Sequence, residues 1–163
     1  MSNNNITKQF KDILRKINVA VNDASADIIL DLADESLEIC PKDTGNLRKS
    51  MEITKDGQII GRGNDKGSVK RNTPRKKVTL NKDINLAITY NCDYAIYPHE
   101  MDGQSTHWTT PGTHSKYLEN PAYHFDAASE MEKAIIEFLE KYWPILRRIS
   151  VRFKFTDKLR KKG

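Results

Sequence analysis

The chain has 163 residues, 37% hydrophobic and 30% charged, which suffices for one domain with a modest core. No stretch approaches the roughly 20 apolar residues that cross a bilayer, and the opening MSNNNITKQF lacks the cationic flank and apolar run of a secretory signal, so a cytosolic chain with no membrane partner is expected. Two cysteines, Cys40 and Cys92, make no disulfide framework and read as small semi-buried thiols.

Apolar residues at Ile6, Phe10, Ile13, Leu14, Ile17, Val21, Ala24, Ile28 and Leu32 keep three- and four-residue spacing, so the first forty residues are expected to be helical. A kink or short break is expected near NVAVNDAS, because Asn22, Asp23 and Ser25 compete for backbone hydrogen bonds and cap well. Pro41 ends the segment. Alternation then begins at Leu47, Met51 and Ile53, and Asp56-Gly57 signals a two-residue hairpin with QIIGRG as the returning strand. Residues 64–83, rich in Gly, Pro, Asn and Lys, read as a long basic arm projecting from the domain between strands. Ile84, Leu86, Ile88 and Tyr90 alternate as a third strand, and CDYAIYPHE fits one or two helical turns limited by Pro98. Asn120-Pro121 reads as cap and first turn of a long last helix through Phe125, Ala128, Met131, Ile135, Phe138, Leu139, Tyr142, Leu146 and Ile149. Pro144 is expected to bend it, and Val151, Phe153 and Phe155 suit either an edge strand or more helix.

The formal charge of +5 is unevenly spread. Residues 66–82 carry +7 with no acid, residues 147–163 carry another +7, and the remainder is left at −9. An acidic body with two basic appendages suits docking between copies or on an acidic partner, since opposite patches steer encounter and fix register; the alternative is two solvated charge runs. Chemistry-bearing motifs are scarce. His99, His107 and His114 with Cys92 lack the spacing of a zinc site, and GRGNDKG lacks a P-loop lysine-serine pair. The acids of DLADESLE and SEMEKAIIEFLEK read as solvated helix faces, and Trp108 and Trp143 as an interface anchor or core packing. No catalytic, cofactor-binding or metal site is expected.

Three segments in order carry a resemblance: PKDTGNLRKS after the first helix, then YAIYPHE, then KYLENP before the last helix. They resemble the neck or tail-component proteins of long-tailed bacteriophages, the minor capsid or head-tail connector proteins of the gene-product-ten-like type. The corner matches at Pro41, Asp43, Thr44, Gly45, Leu47, Arg48 and Ser50; the middle at Tyr94, Ala95, Tyr97, His99 and Glu100; the last at Lys116, Tyr117, Leu118 and Pro121. The resemblance spans about residues 1–142; the basic insert and the tail fall outside its motifs. It implies an α+β subunit, with an N-terminal helix or helix pair and a long C-terminal helix on a small antiparallel sheet; the charge distribution draws a single domain at 1–146 and a basic extension at 147–163. It further implies a structural virion protein with no reaction of its own, assembled in the host cytoplasm into a hexameric ring in the neck. Its partners would be copies of itself, the adjacent head-closure or connector proteins, tail-terminator or tail-tube proteins, and possible contact with genomic DNA passing through the ring. At the corner, Asp43 or Thr44 is expected to bond nearby amides, Gly45 to take a positive φ, Leu47 to point inward and Arg48 outward. Interface residues are expected at Lys70, Arg71, Arg75, Lys76, Lys77, Tyr94, Tyr97, His99, Trp108, Lys116, Tyr117, Arg147 and Arg148. The competing reading is a sequence-independent nucleic-acid-binding module that sets the arm and tail on phosphates; the absence of an aromatic residue in the arm and the acidic body weigh against it.

Overall fold

The computed structural model describes residues 3–42, 45–72, 83–101 and 110–160. Helix α1, Asn3–Ile39, is one unbroken element of 37 residues, about 55 Å long at 1.5 Å per residue. The break expected near residues 22–25 does not occur. Ser25 is buried and turns its hydroxyl back to the Val21 carbonyl at 2.7 Å, which satisfies it inside the helix instead of at a cap. The Asn22 carbonyl in turn accepts the Lys55 ammonium, so tertiary contacts hold the stretch that local propensity would interrupt.

After Pro41 the chain reverses through Gly45 (φ 77°) into a single turn, α2, Asn46–Lys49, and then into strand β1, Met51–Lys55. Asp56 (φ 50°) and Gly57 (φ 75°) form the two-residue turn to β2, Gln58–Gly63; both central residues in the left-handed region is the geometry that matches strand twist. Strand β3, Val69–Arg71, pairs with β2, and β4, Leu86–Tyr90, pairs with β1, giving an antiparallel sheet in the order β3-β2-β1-β4. Period-two alternation puts Met51, Ile53, Ile88 and Tyr90 on one face, where with Ile60 they pack against Leu30, Ala33 and Leu37 of α1. The architecture is the α+β arrangement expected: a long helix at each end of the chain and a small antiparallel sheet between them.

The arm expected over 64–83 does not project over its first part. Residues 64–72 fold back as a turn and strand β3, with the Val69 amide donating to Asp34 at 2.6 Å and Arg71 bound to α1. Residues 73–82 lie outside the described residues.

Two short helices follow, α3 at Ile96–Glu100 and α4 at Glu119–His124. The long last helix, α5, runs Ala127–Arg160, so it does not open at Asn120-Pro121. Its cap is Asp126, whose carboxylate accepts the Ser129 amide at 2.9 Å, while Pro121 falls inside α4. The helix continues through Pro144 and Val151–Phe155, and most of the basic extension drawn at 147 is its last turns; propagating a formed helix costs less than starting a strand. Leu118, just before α4, packs beside Ile39 and Cys40 at the end of α1, whereas Lys16 stands 5.3 Å over the Tyr142 ring. Helix α5 therefore runs antiparallel along α1, away from the sheet.

Candidate subunit interface

The three motif segments, far apart in sequence, meet in one packed node. Cys40, Leu47 and Tyr117 form a second buried cluster, closed by Ile39, Tyr90, Cys92, Ala95 and Leu118. The Tyr117 hydroxyl donates to the Ala95 carbonyl at 2.7 Å, and its ring lies edge-on to Tyr90 at 4.9 Å and to His99 at 5.0 Å. The Lys116 amide donates to the His99 carbonyl at 2.9 Å, and the His114 amide to the Ile39 carbonyl at 3.1 Å. One short helix and one loop are thus pinned to the end of α1.

Arg48 is the member of this node that sequence reasoning misplaced. It points inward and is only 5% exposed. Its Nε and Nη2 donate to the Cys40 carbonyl at 2.9 and 2.6 Å, and Nη2 also reaches the Glu38 carbonyl at 3.4 Å. The last turn of a helix leaves carbonyls without intrahelical partners and carries partial negative charge; a guanidinium supplies both donors and the opposite sign. Alternation beyond the corner would put Arg48 outside, but it belongs to the α2 turn, where Leu47 and Arg48 both face in.

The buried thiol and phenols of the node are held in their neutral forms. Burial pushes the Cys40 thiol up to about 12, and desolvation likewise drives the Tyr90 and Tyr117 phenols well above their ordinary value. A protonated, enclosed thiol is neither a nucleophile nor a metal ligand. Among the described residues no group of three His, Cys, Asp or Glu side chains is placed to hold a metal ion. At the rim, Glu100 is held below the usual carboxylate range by its hydrogen bonds from Lys116 and His99, and Lys116 is held up by Glu100 and Glu119. The ion pairs are 2.6 Å to Glu100 and 3.0 Å to Glu119.

Over this base the node turns a row of large apolar side chains to solvent. Ile96 is 65% and Tyr97 69% exposed, with Tyr94 and Met101 close to half. Apolar side chains scattered singly on a surface are ordinary; four within eight residues, rich in tyrosine and methionine and rimmed by Glu100 and Lys116, form a patch of the composition found at protein contacts.

The residues expected at an interface therefore divide. Tyr94 and Tyr97 lie on this patch, and Lys116 at its rim. Tyr117, 2% exposed, belongs to the core, and His99 packs on it. Lys70 is exposed on β3, while Arg71 grips α1 through Asp31 at 2.6 Å, Asp27 at 3.5 Å and Asp34 at 3.6 Å. Arg147 and Arg148 lie on α5. Asp43, Thr44, Arg75, Lys76, Lys77 and Trp108 lie outside the described residues. Sequence reasoning missed Ile96 and Met101, which flank Tyr97 in an aromatic run too short for a periodicity, and the Asp27-Asp31-Asp34 stripe, whose helical spacing was a legible signal. Comparison of this chain with protein-family models, curated proteins and solved structures gives no match.

Proposed function

We propose that this chain is a structural subunit of a tailed phage or phage-like particle, forming a ring in the neck that joins head to tail. The observation that carries the reading is the convergence of the three resembling segments. The corner, the Tyr94–Glu100 segment and the Lys116–Pro121 segment build a single node whose buried thiol is held neutral and whose surface carries the Tyr94, Ile96, Tyr97 and Met101 patch. Residue patterns that serve a reaction bring polar groups together around a void; these bring a thiol, a leucine and a tyrosine into close packing and hold an aromatic surface rigid. The partners on this reading are further copies of the chain, the head-closure or connector protein on one side and a tail-terminator or tail-tube protein on the other, with genomic DNA passing through the ring.

Electron microscopy of the chain combined with the products of the genes that flank its own tests this. Annular complexes at the junction of filled heads and tails are expected, and particles made without the chain should leave heads and tails apart. Complete, tailed particles assembled without it would overturn the reading. A second reading, sequence-independent nucleic-acid binding, is favoured by the basic last turns of α5, and duplex binding that falls steeply between two salt concentrations would support it.

A further inference from the structure

The two long helices are charge-segregated in the same sense, although they run antiparallel. In α1, residues 3–22 carry Lys8, Lys11, Arg15 and Lys16 against Asp12, a net +3, and residues 23–39 carry Asp23, Asp27, Asp31, Asp34, Glu35 and Glu38 with no base, a net −6. In α5, residues 127–140 carry four glutamates against Lys133, a net −3, and residues 141–160 carry seven lysines and arginines against Asp157, a net +6. Because Tyr142 of α5 stands level with Lys16 of α1, the acidic halves lie side by side next to the sheet and the basic halves together beyond it. The helix pair has a −9 end and a +9 end.

This arrangement does not serve the subunit that contains it. An antiparallel pair selected for its own stability sets opposite charges across the seam, whereas the groove between these helices is lined by Asp23 and Asp27 with Glu137 and by Arg15 and Lys16 with Lys141, Asp12 being the exception. The sign order in α1 also opposes its macrodipole, with no acid in its first turn and no base in its last. Arg71 meets Asp27, Asp31 and Asp34, and Lys55 lies near Asp23 and Asp27, so two cations stand against the six acids. Each end also exposes large apolar side chains: Phe10 (52%) and Leu14 (45%), one turn apart, at the basic end, and Ile135, Ile136 and Leu139 at the acidic end. A phosphate backbone has use for the cations but none for an apolar ridge or for an acidic half.

We infer that the helix pair is a head-to-tail docking device between copies of this chain. The basic end, with Phe10 and Leu14, seats on the acidic end of the next copy, against Ile135, Ile136 and Leu139. Such a contact is heterologous, using two different surfaces of one subunit, and repeats into a closed ring or an open filament according to its rotation. The inference rests on the ring reading for its biological setting, but its test needs no particle, so the two can fail separately.

The test is sedimentation velocity of the full chain over a concentration series, with two charge-reversed variants, Lys8→Glu/Lys11→Glu and Glu132→Lys/Glu140→Lys. All four positions are exposed, so folding is retained, and circular dichroism checks this. The wild type should self-associate, and lose that association in about 1 M salt, where charges are screened within about 3 Å. Each variant alone should associate at least about tenfold more weakly. An equimolar mixture of the two should recover wild-type affinity to within about threefold, because each reversed end then meets its complement. A wild type that stays monomeric throughout, association that survives either reversal, or a mixture that recovers nothing would overturn the inference. Duplex DNA bound through Lys8 and Lys11 without self-association would overturn it too, in favour of the nucleic-acid reading.

Discussion

Replacing Arg48 with methionine keeps the length and most of the volume of the side chain and removes only its donors and charge. Two of its hydrogen bonds are short, 2.6 and 2.9 Å to the Cys40 carbonyl, and the third, 3.4 Å to Glu38, is too long to count for much. Charge-assisted bonds contribute a net of about 1.5–3 kcal/mol each, and because both end on the same carbonyl oxygen the second adds less than the first. The expected destabilisation is about 2–4 kcal/mol, or roughly 5–15 °C in Tm for a chain of this size. Arg48→Lys keeps the charge near the end of α1 but reaches Cys40 with a single donor, and should lose about half as much. Urea unfolding followed by circular dichroism measures both, with an unchanged m value showing that two-state behaviour holds. If Arg48→Met falls within about 0.5 kcal/mol of wild type, or if lysine and methionine cost the same, the guanidinium does not hold the end of α1 and the account of the corner fails.

The node and the sheet carry four further expected outcomes. Cys40, held up to about 12 against 9.0 for a free thiol, binds its proton more tightly folded than unfolded; the stability this gives is complete below about pH 9 and lost as pH rises toward 12, together with that of Tyr90 and Tyr117. Alkaline unfolding monitored by phenolate absorbance should be cooperative, and a disulfide reagent near pH 8 should modify the partly exposed Cys92 while leaving Cys40 untouched; equal reactivity of the two thiols would contradict the burial. Gly63→Ala would place a methyl group 2.0 Å from the Arg48 carbonyl oxygen, a backbone atom that cannot swing aside, and should destabilise by more than about 2 kcal/mol in the same urea assay. Ile96→Ser combined with Tyr97→Ser changes exposed side chains only, so stability should stay within about 0.5 kcal/mol while incorporation into particles, scored by electron microscopy, is lost.

Most of the architecture was legible because it rests on local rules. The apolar spacing of α1, the Asp56-Gly57 turn and the alternation from Leu86 to Tyr90 each follow from a period or a backbone preference carried by a few adjacent residues. What escaped depended on partners distant in sequence. Asn22 and Ser25 look like breakers until Lys55, more than thirty residues on, occupies the Asn22 carbonyl. Arg48 reads as surface until the carbonyls of Glu38 and Cys40 are placed beside it. Val69–Arg71 is too short and too basic to announce a strand, and becomes one because Asp34 takes the Val69 amide and three aspartates of α1 draw Arg71 down. The three motif segments meet in one node, but residue type could not separate Tyr117, which fills the core, from Tyr97, which faces solvent.

Salt separates the internal consequence of the charged helix pair from its external one, and the two have opposite signs. Packed helices lie about 8–10 Å apart, and two like unit charges at about 10 Å in water repel by about 0.4 kcal/mol before screening. In the groove between the helices Asp23 and Asp27 of α1 lie with Glu137 of α5, and Arg15 and Lys16 with Lys141, and the sum of such pairs is of the order of 1–2 kcal/mol. Raising ionic strength from about 0.01 to 0.15 M shortens the screening length from about 30 to 8 Å and removes most of this strain. The thermal midpoint of the dilute monomer should therefore rise by a few degrees with added salt, while concentration-dependent association weakens over the same range. Ion pairs such as Arg71 with Asp31 pull the other way, but exposed pairs contribute only up to about 1 kcal/mol and are themselves screened. A monomer that loses stability on adding salt would mean that attraction dominates within the subunit. The segregation of charge would then have an internal explanation, and nothing would be left for a neighbouring copy to satisfy.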